Sequence, residues 1–283
     1  MTIEAYAKTN FTLEVLGERA DGFHALRSLV FPVSLRDTLE ITFADSFSCD
    51  TGYDDDLCLK AARTLARRLG ADRVRPVSIH VVKRIPAGGG LGGGSADAAA
   101  TLIALNEMWN GGLDAAGLAA LGAETGSDVP SLVLAHGGDP VLMEGRGEIV
   151  TALPDLRRTF HIVLANPGVN SSTAEVYKKC ISCVTDGAKI MYNMRQAVAS
   201  GDLDKVAAAF RNDLAEPAEA LHPEIGAARK ALLDAGSIGA TVSGSGATVF
   251  GLAPSEESAG AIAASLRSAG LQACAAQTCC PVV

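Results

Sequence analysis

Short apolar runs punctuate the first eighty residues. Ile3 to Ala7, Phe11 to Leu16, Leu39 to Phe43 and Val77 to Val82 have the composition of strands, and in the second run Phe11, Leu13 and Val15 alternate with Thr12 and Glu14. Between the last two runs, Leu57, Ala61, Leu65 and Leu69 recur every four residues behind Asp55 and Asp56. That spacing predicts a helix with an acidic N-terminus. From Ala96 to Trp109 the chain has high helix propensity and no breaker, until Asn110-Gly111-Gly112 stops it. A further helix is expected from Asp114 to about Thr125.

Beyond Pro154 the pattern restarts. A strand from Phe160 to Ala165 leads to helical stretches around Ala174 to Lys179, Asp202 to Leu214 and Pro223 to Ala235. Strands at Ala240 to Val242 and Thr248 to Leu252 flank the turn Ser243-Gly244-Ser245-Gly246, and a helix runs from Glu256 to Ala269. Both halves interleave strands and helices, so the class is α+β, with domains expected at 1–155 and 156–283.

Composition narrows the function. The chain has 283 residues, 48% hydrophobic and 20% charged, the balance of a compact folded protein. A net charge of -8 argues against nucleic acid or an anionic membrane as the main partner, since both need a basic footprint. No apolar run reaches the roughly 18 residues of a membrane span. The start, MTIEAYAKTN, lacks the basic end and apolar core of a signal peptide, so a cytoplasmic location is expected. Seven cysteines, an odd number, suit reduced thiols better than a disulfide framework. Cys180 and Cys183 have redox or zinc spacing, but no second such pair or nearby histidine completes a tetrahedron, and buried or incidental thiols are the reading preferred.

The segment with most chemistry is Pro86-Ala87-Gly88-Gly89-Gly90-Leu91-Gly92-Gly93-Gly94-Ser95, six glycines in seven positions between a strand and a helix. A flexible linker would join domains and carry polar residues. Glycines in this position let successive amides turn inward around an anion, and the helix behind them adds unsatisfied N–H groups and the positive end of its dipole. The loop therefore reads as a phosphate site. Gly88, Gly90 and Gly93 satisfy a dinucleotide fingerprint, but Pro86-Ala87 interrupts the approach and no acid-ended strand follows about 20 residues on. No Gly-Lys-Ser/Thr closes a Walker loop, so the charge-handling groups must come from elsewhere in the chain.

Three elements in order, a strand carrying Lys8, this loop and the late turn Val242 to Ala247, resemble the motifs of the GHMP kinase family. The resemblance extends to Ala7-Lys8-Thr9-Asn10-Phe11, Asp21-Gly22-Phe23-His24, Gly126-Ser127-Asp128-Val129-Pro130, Gly145-Arg146-Gly147-Glu148, Asn166-Pro167-Gly168, Ser172-Thr173 with Tyr177, and Asn212-Asp213-Leu214-Ala215-Glu216-Pro217. It implies an α+β, two-domain GHMP kinase fold, with an N-terminal β-α-β domain of ribosomal-protein type and a C-terminal ferredoxin-like domain. It also implies ATP and Mg2+, held with the acceptor in a cleft between the domains. The elements containing Phe23-His24 and Asn212 to Pro217 are similar to those of members that use a small cytidylyl-bearing alcohol in isoprenoid precursor synthesis. No obligate protein partner is implied.

Residue roles follow from the resemblance. Asp128 is the expected base, where spacing alone reads as a turn or N-cap aspartate, and Lys8 is the cation that keeps it ionised. Pro86 to Ser95 bind ATP, with Ser95 also a candidate for the metal. Asn10, Phe23, His24 and Tyr177, with Ser243, Gly244, Ser245 and Gly246, bind the acceptor, the aromatic groups around its cytosine. Phe23 replaces the tyrosine usual in the family, which keeps stacking and removes a hydroxyl. Two other readings stand beside this one: a GHMP kinase for a different small alcohol, and an inactive nucleotide-binding protein of the same fold. A nicotinamide-dependent oxidoreductase is disfavoured by the broken fingerprint.

Overall fold

In a computed structural model of the chain, residues 1–52, 56–180 and 187–279 are described. Two long antiparallel strands form the spine, β1 (Thr2–Glu18) and β2 (His24–Phe43). The sequence pattern suggested two short strands before residue 17; they are one, because register shifts at Tyr6/Lys8 and Asn10/Thr12 absorb the breaks in alternation without ending the pairing. Likewise Leu39 to Phe43 is only the end of β2, whose earlier part reads as mixed polarity because it is flanked on both edges. β1 pairs along one edge; on the other, Val141–Gly145 meets Leu26 to Val30 and Val77–Val82 meets Thr38 to Phe43.

The elements that follow are β3 (Ser48–Cys49), α1 (Leu57–Leu69), β4 (Val77–Val82), α2 (Gly93–Met108), α3 (Ala115–Thr125), α4 (Val129–Ala135), β5 (Val141–Gly145) and β6 (Ile149–Ala152). α1 has the four-residue repeat the sequence announces, and its N-cap Asp56 accepts from Leu59 N at 2.8 Å. Asp55 lies outside the described residues. α2 begins three residues earlier than propensity suggests, inside the glycine run, and its Ala96, Ala98, Ala99, Ala100, Leu102, Ala104 and Leu105 are all buried. A helix buried nearly all round needs small side chains to approach α1, α4 and β1 closely.

The remainder comprises β7 (His161–Asn166), α5 (Thr173–Lys179), α6 (Gly187–Ser200), α7 (Leu203–Ala208), β8 (Arg211–Asn212), α8 (Ala215–Leu221), α9 (Pro223–Asp234), β9 (Ala240–Val242), β10 (Val249–Ala253), α10 (Glu256–Ser268) and β11 (Gln272–Gln277). The helix expected over Asp202 to Leu214 stops at Ala208, because Arg211 and Asn212 pair in parallel with Thr12 and Leu13 of β1. The four-stranded sheet has the order β11-β7-β10-β9.

Strand periodicity explains how the halves join. On β7, Ile162 and Leu164 enter the core beneath the first sheet, while Val163 and Ala165 face a second core with Ile225, Leu232 and Ile262 from α9 and α10. Phe250 of β10 stacks on Phe11 of β1 with ring centroids 5.6 Å apart, and Phe160 and Phe210 crowd the same ring. We propose 1–155 and 156–283 as the two domains on the ground that the chain passes between the sheets after Leu153. They share this aromatic core, and β8 returns to the first sheet.

Candidate active site

A cavity of about 1040 Å3 opens between the two sheets. Its floor is the glycine loop. Gly88, Gly90 and Gly92 take φ of 65°, 73° and 71°, a left-handed conformation at every second residue that side chains disfavour. The loop's carbonyls are tied into the protein: Thr248 N donates to Gly89 O at 3.0 Å, Ser243 Oγ to Gly90 O at 3.0 Å and Lys8 N to Leu91 O at 3.0 Å. With the carbonyls turned away, amides are left for the cleft, joined by the N–H groups that begin α2 and lack intrahelical acceptors.

Lys8 threads between two glycines. A Cβ on Gly92 would stand 3.2 Å from Lys8 Cγ, and one on Gly244 3.2 Å from Lys8 Nζ. The buried ammonium donates to Asn10 Oδ1 at 2.7 Å and lies 3.4 Å from Asp128 Oδ2. Asn10 in turn donates to Ser28 Oγ at 2.8 Å, and Ser28 to Thr12 O at 2.6 Å, a chain that fixes the amide's orientation. Asp128 occupies the N-cap position of α4, yet its side chain caps nothing there and faces Lys8 instead. The cap reading of its spacing therefore gives way to the charge pair.

Across the cavity, His24 and Tyr177 stand with ring centroids 5.1 Å apart. Burial, with the Asp128 charge a smaller cause, raises the pKa of the Tyr177 hydroxyl, so it stays a donor. Phe23 is 49% exposed, and the Arg146 guanidinium lies over its ring at 5.2 Å. The loop before it is shaped by Asp21, which accepts from Phe23 N at 3.1 Å and pairs with Arg19.

Two expected contacts are not on the cavity wall. Leu91 is 1% exposed and points into the core, where it anchors the loop. Ser243 is fully buried, and its hydroxyl donates to the Gly90 carbonyl, so it supports the loop. Gly244, Ser245 and Gly246 do line the cavity, as do Asn10, Phe23, His24, Tyr177 and Ser95.

Other residues were given no role by sequence. Asp97, 2% exposed on the second turn of α2, pairs with Lys83 at 2.6 Å while its Oδ1, on a residue of the cavity wall, has no partner. Burial pushes its pKa up to about 7 against the pull of Lys83. A lone acid within an alanine run was the available signal. Asn212 donates to Val242 O at 2.7 Å and Gly244 O at 2.8 Å, and Ser171 to Ser245 O at 2.7 Å, so the motifs around residues 171 and 212 hold the late turn.

Comparison with known proteins agrees with this architecture. The sequence profile of the GHMP kinases N terminal domain matches residues 56–140, and that of the GHMP kinases C terminal matches 194–272. A 4-diphosphocytidyl-2-C-methyl-D-erythritol kinase of Sinorhizobium medicae is 40% identical over 274 residues, covering 92% of this chain and 88% of its own. One from Ruegeria pomeroyi is 41% identical over 271 residues, covering 90% of each. The chain belongs to the GHMP kinases.

A crystal structure of a 4-(cytidine 5'-diphospho)-2C-methyl-D-erythritol kinase matches this GHMP kinase with a TM-score of 0.83 at 31% identity, covering 99% of this chain and all of the other. Homoserine kinase from Cytophaga hutchinsonii matches with a TM-score of 0.73 at 18% identity, over 98% and 94% of the chains, a likeness of fold. The fold class is thus that of a two-part GHMP kinase, and the chain is an ATP-dependent kinase.

Proposed function

We propose that this GHMP kinase transfers the γ-phosphoryl group of ATP to the 2-hydroxyl of 4-diphosphocytidyl-2-C-methyl-D-erythritol. The observation that carries the reading is the Lys8–Asp128 pair, set between an anion-binding glycine loop on one side and the His24–Tyr177 pair on the other. Relatives of that name cover nine-tenths of the chain. The protein works on this small molecule in the cytoplasm and needs no obligate protein partner.

The chemistry divides among the chain's own groups. Amides from Gly88 to Ser95 hold the phosphates, and the nucleoside end lies along Thr51, Leu57 and Lys83. Tyr177 and His24 hold the cytosine, Phe23 and Arg146 close over it, and the methylerythritol reaches toward Lys8. Asp128 Oδ2 accepts the proton of the acceptor hydroxyl as that oxygen attacks phosphorus, and ADP leaves. Lys8 pairs with Asp128 and stabilises the charge on the transferring group, while Asn10 fixes Lys8.

Mg2+ suits the residues present. Asp97 carries a buried oxygen without a partner, and the Ser95 hydroxyl is a neutral oxygen donor two residues before it, so these two would hold the ion with phosphate oxygens and water. Held there, Mg2+ would supply positive charge to the phosphates.

The test is ADP production by the purified chain with ATP and Mg2+, comparing the cytidylyl acceptor with mevalonate, homoserine and galactose. Turnover is expected with the first alone. Activity on another acceptor and none on the first would keep the kinase and discard the substrate.

A further inference from the structure

A second group of ligating side chains lies on the nucleotide end of the cavity and takes no part in the chemistry above. Cys49 ends the edge strand β3, Asp56 caps α1, and Cys58 stands in the first turn of that helix. One donor atom from each, two sulfurs and a carboxylate oxygen, all lie within 4.8 Å of one another. Both cysteines are free thiols, Cys58 buried and Cys49 half-buried. Among the described residues no other group of histidine, cysteine and acidic side chains converges this way.

We propose that Cys49, Asp56 and Cys58 form a binding site for a zinc-class divalent cation. Tetrahedral zinc with Zn–S near 2.3 Å and Zn–O near 2.1 Å spaces two sulfurs and an oxygen about 3.6–3.8 Å apart. The donors therefore need to close by no more than about an ångström. Asp56 can serve without giving up its cap: Oδ1 accepts from Leu59 N, and Oδ2, which accepts from the Thr51 hydroxyl, retains a lone pair. Binding balances as one dication in and two thiol protons out to solvent. The result is a three-ligand site of two thiolates and one carboxylate.

The fourth position is open. Asp56 and Cys58 line the cavity and Cys49 lies behind them, so a water or a nucleotide atom would complete the ion from the cavity side. Thiolates select this site against Mg2+, which takes hard oxygen donors and keeps its waters. Occupancy would put an ion beside Leu57 on the wall assigned above to the nucleoside. That consequence rests on the proposed function, whereas the site itself does not.

The test is a titration of the full chain, freed of metal and kept reduced, with Co2+ as a spectroscopic probe for zinc. One Co2+ per chain is expected, with a thiolate-to-cobalt charge-transfer band and the visible absorption of tetrahedral cobalt. Zn2+ should displace it, and excess Mg2+ should not. Cys49→Ser, at a half-buried strand edge, is expected to fold with an unchanged circular dichroism spectrum and to lose most of the band; Cys49→Ser/Cys58→Ser should lose all of it. Absence of the band in the wild type, its survival in folded Cys49→Ser, or displacement by Mg2+ would each overturn the proposal. Kinase assays enter none of these readouts, so the outcome stands apart from the acceptor assignment.

Discussion

The Ser243 hydroxyl donates to the carbonyl oxygen of Gly90 at 3.0 Å, tying the late turn to the middle of the phosphate loop across 153 residues of sequence. The approach leaves no room for a side chain. A Cβ on Gly90 would stand 2.1 Å from Ser243 O, and the residue's φ of 73° disfavours one in any case. Gly90→Ala is expected to separate loop and turn and to abolish nucleotide binding, measured by ADP titration calorimetry. At Gly94 a Cβ would meet only Leu57 Cδ1 at 3.6 Å, so Gly94→Ala should keep the wild-type melting temperature. Ser243→Ala should cost about 1–3 kcal/mol in chemical denaturation, the loss of a buried hydrogen bond.

Asn212 acts on the same turn from behind. Its amide donates to two carbonyls, Val242 O and Gly244 O, while its oxygen accepts from Leu214 N at 2.9 Å. Asn212→Leu keeps much of the volume and leaves those carbonyls unpaired. The expected result is a drop in kcat with a folded protein, because Gly244 packs beside the Lys8 ammonium. A stability loss of about 2–4 kcal/mol should accompany it in urea denaturation.

Tyr177 and His24 are expected to act on acceptor affinity. Tyr177→Ala should raise KM for the cytidylyl acceptor by about 100-fold, the worth of roughly 2–3 kcal/mol of lost aromatic burial, and leave KM for ATP within about twofold. Phe23→Tyr should change either constant little, since half the ring already faces solvent and Arg146 covers it. Steady-state kinetics with each substrate varied in turn separates the two effects.

Glu14 carries a pH dependence. It is fully buried on β1, both carboxylate oxygens lack a hydrogen-bond partner, and burial pushes its pKa from 4.5 to about 7 against the smaller pull of Arg27. Between those values the folded chain retains a proton that the unfolded chain has lost, so stability is present below pH 4.5 and falls as pH rises through 7. Glu14→Gln removes the titration. Its stability relative to wild type should increase from pH 5 to pH 8 by up to about 3 kcal/mol, measured by urea denaturation at both.

The residues of the fold that were legible in sequence are those whose local pattern is not contested by a distant partner. The Leu57 to Leu69 repeat is a helix because only α1 decides it, and the glycine run is a loop because no other backbone fits. Arg211 and Asn212 were drawn into a helix by their neighbours, but pairing with Thr12 and Leu13, nearly 200 residues away, makes them a strand. β2 has the same cause, since its polar positions are read only once both edges are known.

At the site, the direction of a side chain was the missing information. Ser243 has the composition of a contact residue and turns inward to Gly90. Leu91 interrupts the glycines because it is the loop's buried anchor. Conversely, Asp97 lies two residues beyond Ser95 among alanines, and its burial and its pairing with Lys83, just past the end of β4, are visible only in the fold. Lys8 and Asp128 are 120 positions apart, and their 3.4 Å approach depends on Gly92 and Gly244 giving way to the lysine stem.

The Lys8–Asp128 pair is therefore the place to test the mechanism. The measurement is kcat of Asp128→Asn with ATP and 4-diphosphocytidyl-2-C-methyl-D-erythritol, alongside ADP and acceptor affinities for the same variant. A fall of about 100- to 10,000-fold in kcat, with both affinities within about threefold of wild type, is the expected result for loss of the base. A kcat within tenfold of wild type would contradict the assignment of Asp128 and move the proton to another acceptor.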